Sequence, residues 1–402
     1  MPASSGATQD EIRRRNVSTL LRRLHVHGAQ SRAQLTESMG LNRSTIKALV
    51  GELTDAGLVT ETIPETGLRA GRPSHVVVPR SDTAYVLAAN IGVDAVSAAV
   101  VGLGGVILGR REYRMSASGT KPDAAARRLA AEFTRLRTKL PATARMCGVG
   151  VGVPGAVRRG DGLVEFAPNL MWRALPFGEL LAQRLDTSVE VRVGNDGDLG
   201  GLAEHIRGSG RDIDDLIYLA GEVGVGGGII VAGHLVTGSQ GYAGELGHMI
   251  VNPNGRRCRC GSRGCFETEV GEQAVLAACG RDPNGGRAAM LDVFAAANAG
   301  ERRALDGLHE IAIWVARGLA TLVNLFNPDI VILGGPLSSL FFLTGDVIRS
   351  ELDAMTTFAG RRRVRLVQPG LGEDSSLLGA AELAFAPLLD DPIESWTRRC
   401  VG

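Results

Sequence analysis

Residues 244–265 read GELGHMIVNPNGRRCRCGSRGC, and no other stretch of the chain carries as much chemistry. Three thiols, Cys258, Cys260 and Cys265, follow one imidazole, His248, in a C-x-C-x4-C arrangement. Three thiolates and an imidazole are the ligands of a closed tetrahedral zinc site, and the glycines among them let the backbone fold around an ion. Four protein ligands leave no position for water, so the zinc expected over the loop 248–265 is structural. The other cysteines, Cys147, Cys279 and Cys400, have no partner at ligand spacing and read as core or surface thiols. Clustered rather than paired thiols point to metal binding in a reducing compartment. His25, His27, His75, His205, His234 and His309 carry no motif.

Upstream, Val191–Asp196 reads as a strand ending in the amide–carboxylate pair Asn195-Asp196, ahead of a helix expected from about Leu199 to Arg207. Strand ends of this kind face open clefts. Asp196 can accept a proton or hydrogen bond from a hydroxyl, and Asn195 offers both donor and acceptor. Glu245, and Glu267 just beyond the cysteines, add acceptors to the same wall if the zinc pins those loops there. Such a mixed lining suits a polyol.

The surrounding body is β-rich and glycine-rich. A meander (Tyr85–Val93, Val96–Val101, Val106–Arg110) precedes a helix (Ala124–Lys139) and a buried strand (Met146–Val153). The pattern recurs at Leu216–Leu219, Gly227–Val231 and His234–Val236, and a long helix (Arg303–Phe326) then runs into Asp329–Leu333 and Gly334-Gly335. A meander with helices, occurring twice, predicts two α/β lobes with a ligand cleft between them.

The first eighty residues differ. They hold 11 Lys+Arg against 7 Asp+Glu, net +4, whereas the whole chain of 402 residues carries only +1. A basic module on a mildly acidic body suggests a nucleic-acid-binding head, residues 1–80, on a separate domain, 81–402. Val17, Leu20, Leu21 and Leu24 form one helical face. Ser31-Arg32-Ala33-Gln34 is a capping box, Gly40 a turn, and Asn42 caps a second helix with Ile46, Leu49, Val50 and Leu53 inward. This is the helix-turn-helix arrangement. It leaves Arg43, Ser44, Thr45 and Lys47 at the exposed end that enters a major groove. Leu58–Thr62 and His75–Val78 read as strands flanking a wing, from which Arg72 can reach a narrow minor groove.

The start of the chain has no apolar segment behind its charges, and the uncharged stretch Ala95–Gly109 is too short for a membrane span and reads as a hairpin. The expectation is a soluble, cytoplasmic protein.

Taken together, Val223-Gly224-Val225-Gly226-Gly227-Gly228, Glu245-x-Gly-His248, Cys258-x-Cys260-Gly-x-x-Gly-Cys265 and Asn195-Asp196 resemble the ROK family (repressors, open reading frames and sugar kinases), in its repressor form with an N-terminal winged helix. The resemblance covers essentially the whole chain. It implies a two-lobed, actin-like, hexokinase-type fold with a sugar between the lobes. It maps sugar contacts onto Asn169, Asn195, Asp196, Glu245, His248 and Glu267, with Gly155 contributing backbone. It also makes His248, Cys258, Cys260 and Cys265 the zinc ligands, so that His248 turns one ring nitrogen to zinc and the other to a sugar hydroxyl.

The kinases of that family carry Asp-x-Gly-Gly-Thr in the first hairpin, where backbone amides cradle ATP phosphates. Here the position reads Asp94-Ala95-Val96-Ser97-Ala98, and Glu222 adds a carboxylate at the second phosphate loop. The glycines are gone and the added charge repels phosphate. Asp196 then remains as a vestigial base, and no kinase activity is expected. The resemblance thus implies a sugar-responsive transcriptional regulator, a repressor, binding an inverted-repeat DNA operator as a homodimer or homotetramer and answering to a sugar or sugar phosphate. The alternatives are a sugar kinase with an attached DNA-binding domain and a regulator answering to a protein partner.

Overall fold

The computed structural model describes residues 8–63, 75–115, 121–221, 223–357 and 364–398. Arg72 with most of its wing, Glu222 and Cys400 lie outside the described residues.

The head opens with α1 (Gln9–His27), longer at both ends than the apolar run predicts. Thr8 caps it in a box with Glu11, and its first turns are polar and exposed, so periodicity registers only the buried part. After β1 (Gln30–Ser31) come α2 (Arg32–Met39), capped by Ser31 and Gln34, and α3 (Arg43–Asp55), whose cap Asn42 accepts from the Thr45 amide. Gly40 between them is left-handed, with φ 63°. The strands β2 (Val59–Thr62) and β3 (Val76–Pro79) complete a sheet in the order β1-β3-β2; β1 escaped the sequence reading because two residues carry no period.

The first lobe contains β4 (Ala84–Ile91), β5 (Ala95–Gly102), β6 (Val106–Arg114), α4 (Pro122–Arg137) and β7 (Arg145–Val153). A small sheet of β8 (Ala156–Val157), β9 (Val164–Ala167) and β10 (Trp172–Leu175) follows, then α5 (Phe177–Leu185) and β11 (Val191–Asn195). Helix α6 (Asp196–Arg207) leads to the second lobe: β12 (Leu216–Gly221), β13 (Val225–Val231), β14 (His234–Leu235), α7 (Phe266–Val270), α8 (Glu272–Ala278), α9 (Gly286–Asn298), α10 (Arg302–Phe326), β15 (Ile330–Gly334), α11 (Pro336–Met355) and β16 (Arg365–Val367). The chain then returns through α12 (Ser375–Asp390) and α13 (Pro392–Arg398).

The two large sheets run β6-β5-β4-β7-β11 and β14-β13-β12-β15-β16, the same order when each is counted in its own chain sequence. In both, an antiparallel meander is extended by parallel strands. The repeat read from the sequence is therefore a repeat of topology.

Helices α6 and α12 join the lobes. Helix α6 leaves the first sheet yet packs on β12 and β13 of the second, while α12 packs on α6 and on β4 and β7 of the first. Small residues allow this. A Cβ on Gly379 of α12 would sit 1.9 Å from the Leu199 carbonyl, and one on Gly197 would sit 2.4 Å from the Gly227 amide nitrogen. The head rests on the same pair. Val17, Leu20, Leu21 and Leu24 share one buried cluster with Leu199, Ala203, Ala380, Phe385 and Leu388, and the Ser18 hydroxyl donates to the Leu389 carbonyl at 2.6 Å. Among the described residues, no helix is long and apolar enough to cross a membrane.

Candidate functional site

The clip has almost no regular structure of its own. His248 ends a 3-10 turn (Leu246–His248), Cys265 precedes α7, and isolated bridges (Ile250 to Cys265, Arg257 to Arg263) cross between them. Gly264, at φ 70°, passes so close to Asn252 that a Cβ would lie 1.5 Å from its carbonyl oxygen. The result is convergence: the ligand atoms of His248, Cys258, Cys260 and Cys265 all lie within 4.8 Å of one another. Cys258 Sγ is 3.7 Å from His248 Nδ1, and Cys260 Sγ is 3.7 Å from Cys265 Sγ. Ligand atoms about 2.3 Å from a tetrahedral zinc stand about 3.8 Å apart, whereas a disulfide needs about 2.05 Å. These four residues can hold a metal ion, and the donor set and spacing fit zinc. Burial and the adjacent Glu267 carboxylate push the Cys258 thiol up. A bound cation reverses that balance and favours the thiolate.

His248 presents Nδ1 to the thiols and Nε2 to Glu245, whose Oε2 lies 3.8 Å away. Glu267 Oε1 is 3.6 Å from His248 Nδ1 and accepts from Cys258 at 2.9 Å. The structure thus gathers Glu245, His248 and Glu267 along one edge of the clip.

The opposite wall starts at Asn195, and here the helix begins three residues earlier than expected, at Asp196. The reason is the cap: Asn195 Oδ1 accepts from the Asp198 amide at 3.0 Å. Its Nδ2 donates to the Gly155 carbonyl at 2.9 Å. Gly155 has φ 146° and its Cβ position is filled by the Phe166 carbonyl, so only glycine fits there. Asp196, in the first turn, accepts from the Gly197 amide at 2.9 Å. Burial raises its carboxyl to about 6; the Gly197 amide opposes the rise and the charge of Glu245 adds to it. Asn169 accepts from Arg259 Nη1 at 2.7 Å, which ties the small sheet of the first lobe to the clip of the second.

Two residues of this region went unread in the sequence. Arg259 lies between two metal ligands, and nothing in its neighbourhood signals that it reaches Asn169. Asp198 is 8% exposed and its Oδ1 is buried without a hydrogen-bond partner. Burial, then Glu245 and Asp196, push its carboxyl up to about 8. An acidic residue in the first turn of a helix is so ordinary that it draws no notice.

In the head, Arg43, Ser44 and Lys47 are exposed at the start of α3, while Thr45 is half-buried. The Ser44 hydroxyl donates to the capping Asn42 Oδ1 at 2.7 Å. At the β4–β5 turn, Gly92 donates to the Ala95 carbonyl at 2.9 Å, and Ala95–Ala98 continue directly as strand.

The ROK family model matches residues 86–386. The xylose repressor of Bacillus spizizenii is 27% identical over 385 residues, covering 96% of this chain and 98% of its own. The glucokinase of Thermotoga maritima is 35% identical over 253 residues, 58% of this chain and 78% of its own. Among solved structures, a ROK family transcriptional regulator described as a homolog of the E. coli MLC protein superposes with TM-score 0.79 at 24% identity, covering 96% of this chain and 99% of its own, a likeness of fold. The family match runs from β4 to α12 and so takes in both lobes and the clip: the chain belongs to the ROK family.

Proposed function

We propose that the protein is a sugar-responsive, DNA-binding transcriptional repressor whose effector sugar lies between the lobes. One observation carries this reading: the likeness to the named xylose repressor runs through the head as well as the lobes, where the likeness to the glucokinase covers only 58% of the chain. The sugar is held by Asn169, Asn195, Asp196, Glu245, His248 and Glu267, with the backbone of Gly155. Asp196 accepts from a hydroxyl, and His248 offers Nε2 while its Nδ1 serves the metal. A structural zinc on His248, Cys258, Cys260 and Cys265 fixes that side of the cleft. Arg43, Ser44, Thr45 and Lys47 read a major groove, and Arg72 is assigned the minor groove from sequence alone.

No phosphoryl transfer is assigned. Where the kinases of the family place two glycines, this chain has Val96 and Ser97, which continue directly as strand β5. Without those glycines the turn lacks the free backbone amides that cradle an ATP phosphate. The sugar acts by preferring one conformer of the molecule, since equal affinity for both shifts nothing.

The test is the anisotropy of a labelled fragment from upstream of the gene, at fixed salt, titrated with protein alone and then with a panel of free and phosphorylated sugars. A shift in affinity with one sugar and not its epimers supports the reading. DNA binding that no sugar alters sinks it, and sugar-dependent ADP release abolished by Asp196→Asn would establish the kinase instead.

A further inference from the structure

Helix α6 starts in the cleft wall and ends in a buried polar cluster beneath the head. Its last residue, Arg207, has an 11% exposed side chain and donates from Nε to Glu382 Oε1 at 2.6 Å. Arg207 Nη1 donates to the carbonyls of His25, at 2.9 Å, and Gly104, at 3.0 Å. His25, fully buried near the end of α1, accepts at Nδ1 from the Gly104 amide at 2.9 Å. Nδ1 is therefore the unprotonated nitrogen of that hydrogen bond, and Nε2 is free to donate to Glu382 Oε2 at 3.1 Å. Four separate elements meet here: α1 of the head, the β5–β6 turn of the first lobe, α6 and α12.

These four elements belong to the head, to the first lobe and to the two helices that join the lobes. Helix α6 is packed on the second sheet and α12 on the first as well as on α6, so any movement of the lobes loads the contact between Arg207 and Glu382. Any such displacement reaches the head directly, because His25 is bound to both partners. One turn earlier, fully buried Glu204 accepts from the amides of Ser209, Gly370 and Leu371 and from the Ser375 hydroxyl, clamping the end of α6 to the start of α12. Arg207 Nη2, by contrast, is buried with no acceptor. The arrangement leaves one strong donor unmet, as expected of an element with a second arrangement to adopt.

We propose that the Arg207–Glu382–His25 cluster is the coupling latch of the molecule, transmitting the state of the cleft to the DNA-binding head, with Arg207 a positioning residue that touches neither sugar nor DNA. The inference rests on the sugar-sensor reading above. A helix of this length spans about 17 Å, which is the distance over which Asp196 and Arg207 are rigidly linked.

The experiment uses full-length, metal-loaded protein, with Arg207→Lys and Glu382→Gln beside the wild type. D-xylose, D-glucose and their phosphates are the probes. Sugar affinity is read by calorimetry, and operator affinity by anisotropy with and without saturating sugar. The latch predicts sugar affinities within about twofold of wild type, while the sugar-induced change in operator affinity shrinks to less than about twofold. A folded variant that keeps the full wild-type change overturns the latch and leaves the sensor reading standing. A wild type that ignores every sugar removes both. Should neither variant fold, amide exchange on the wild type decides: sugar must accelerate exchange at Gly104 and in the last turn of α1 by tenfold or more. Unchanged protection there, with sugar bound, overturns the latch.

Discussion

At the cleft end of α6, Asp198 is buried, unpaired at Oδ1 and raised to about 8; near the other end, Glu382 is as deeply buried and held at about 2. Burial pushes both carboxyls up. At Glu382 the hydrogen bonds of His25 and Arg207 and the Arg207 charge outweigh it, whereas at Asp198 the charged neighbours are Glu245 and Asp196, which push the same way. One helix thus connects a cluster whose carboxylate is paired to one whose carboxylate is not. The end with the unpaired carboxyl is where a ligand belongs, since hydroxyl donors supply the hydrogen bonds that the protein withholds from Asp198 Oδ1.

The largest effect expected belongs to the cleft side. Apart from its ligands the clip is held by scattered backbone hydrogen bonds and two isolated bridges, and structural zinc is worth about 10 kcal/mol or more in small zinc-binding peptides. Chelation is expected to abolish sugar binding and lower the melting temperature by about 10 °C or more, with metal analysis showing zinc lost in parallel. Sugar affinity that survives chelation would break the link between clip and cleft.

Next comes the latch. Glu382→Ala leaves Arg207 and His25 buried without their acceptor, and removing one partner of a buried ion pair costs about 3–5 kcal/mol. Denaturant unfolding, followed separately by head and body probes, should show the head released first. The pH dependence follows from the depressed carboxyl: the stabilisation is complete above about 4.5 and disappears as pH falls toward about 2. Loss of head docking already at pH 5 would contradict this account.

How far the sequence foretold these two ends is instructive. The metal ligands were legible because C-x-C-x4-C with an upstream histidine is a local pattern, and Ser31, Gln34 and Asn42 announced their caps for the same reason. Both lobes were legible from repeated meanders, although α12 and the small sheet β8–β10 were not. The small sheet is made of short strands, and α12, apolar on most faces, shows no clear amphipathic stripe. The latch was invisible. His25 carries no motif, and its partners lie 182 and 357 residues away, joined only by the packing of α1 on α12. Asn195 is legible as a polar strand end, but its role as a cap is not, because the apolar pattern of the helix begins only at Leu199.

A smaller effect is expected at Asp196. Asp196→Ala removes one charged acceptor from the sugar, worth about 1.5–3 kcal/mol, or roughly 10- to 150-fold in sugar affinity. Operator affinity without sugar should be unchanged, because the latch end of α6 is untouched. Calorimetry and anisotropy on the same preparation check both halves, and a variant that loses DNA binding without sugar would show that the two ends of α6 are not separable.

The smallest effect, and the sharpest test of the contrast, concerns Asp198. Its folded carboxyl sits near 8, against an ordinary value of 3.8, so the folded state keeps a proton that the unfolded chain has released. Stability must therefore fall as pH rises from about 4 to about 8, the reverse of what Glu382 contributes at low pH. Asp196, raised to about 6, adds to the fall in the lower part of that window. Asp198→Asn keeps the shape and the helix position but has no charge to bury. It should leave stability at pH 5 nearly unchanged and raise it at pH 8.5, where the wild-type carboxyl must ionise in a buried site. Thermal melts of the sugar-free protein at the two pH values read this directly. Equal shifts at both would mean that Asp198 is paired by something other than its carboxylate neighbours, and the contrast between its carboxyl and that of Glu382 would be lost.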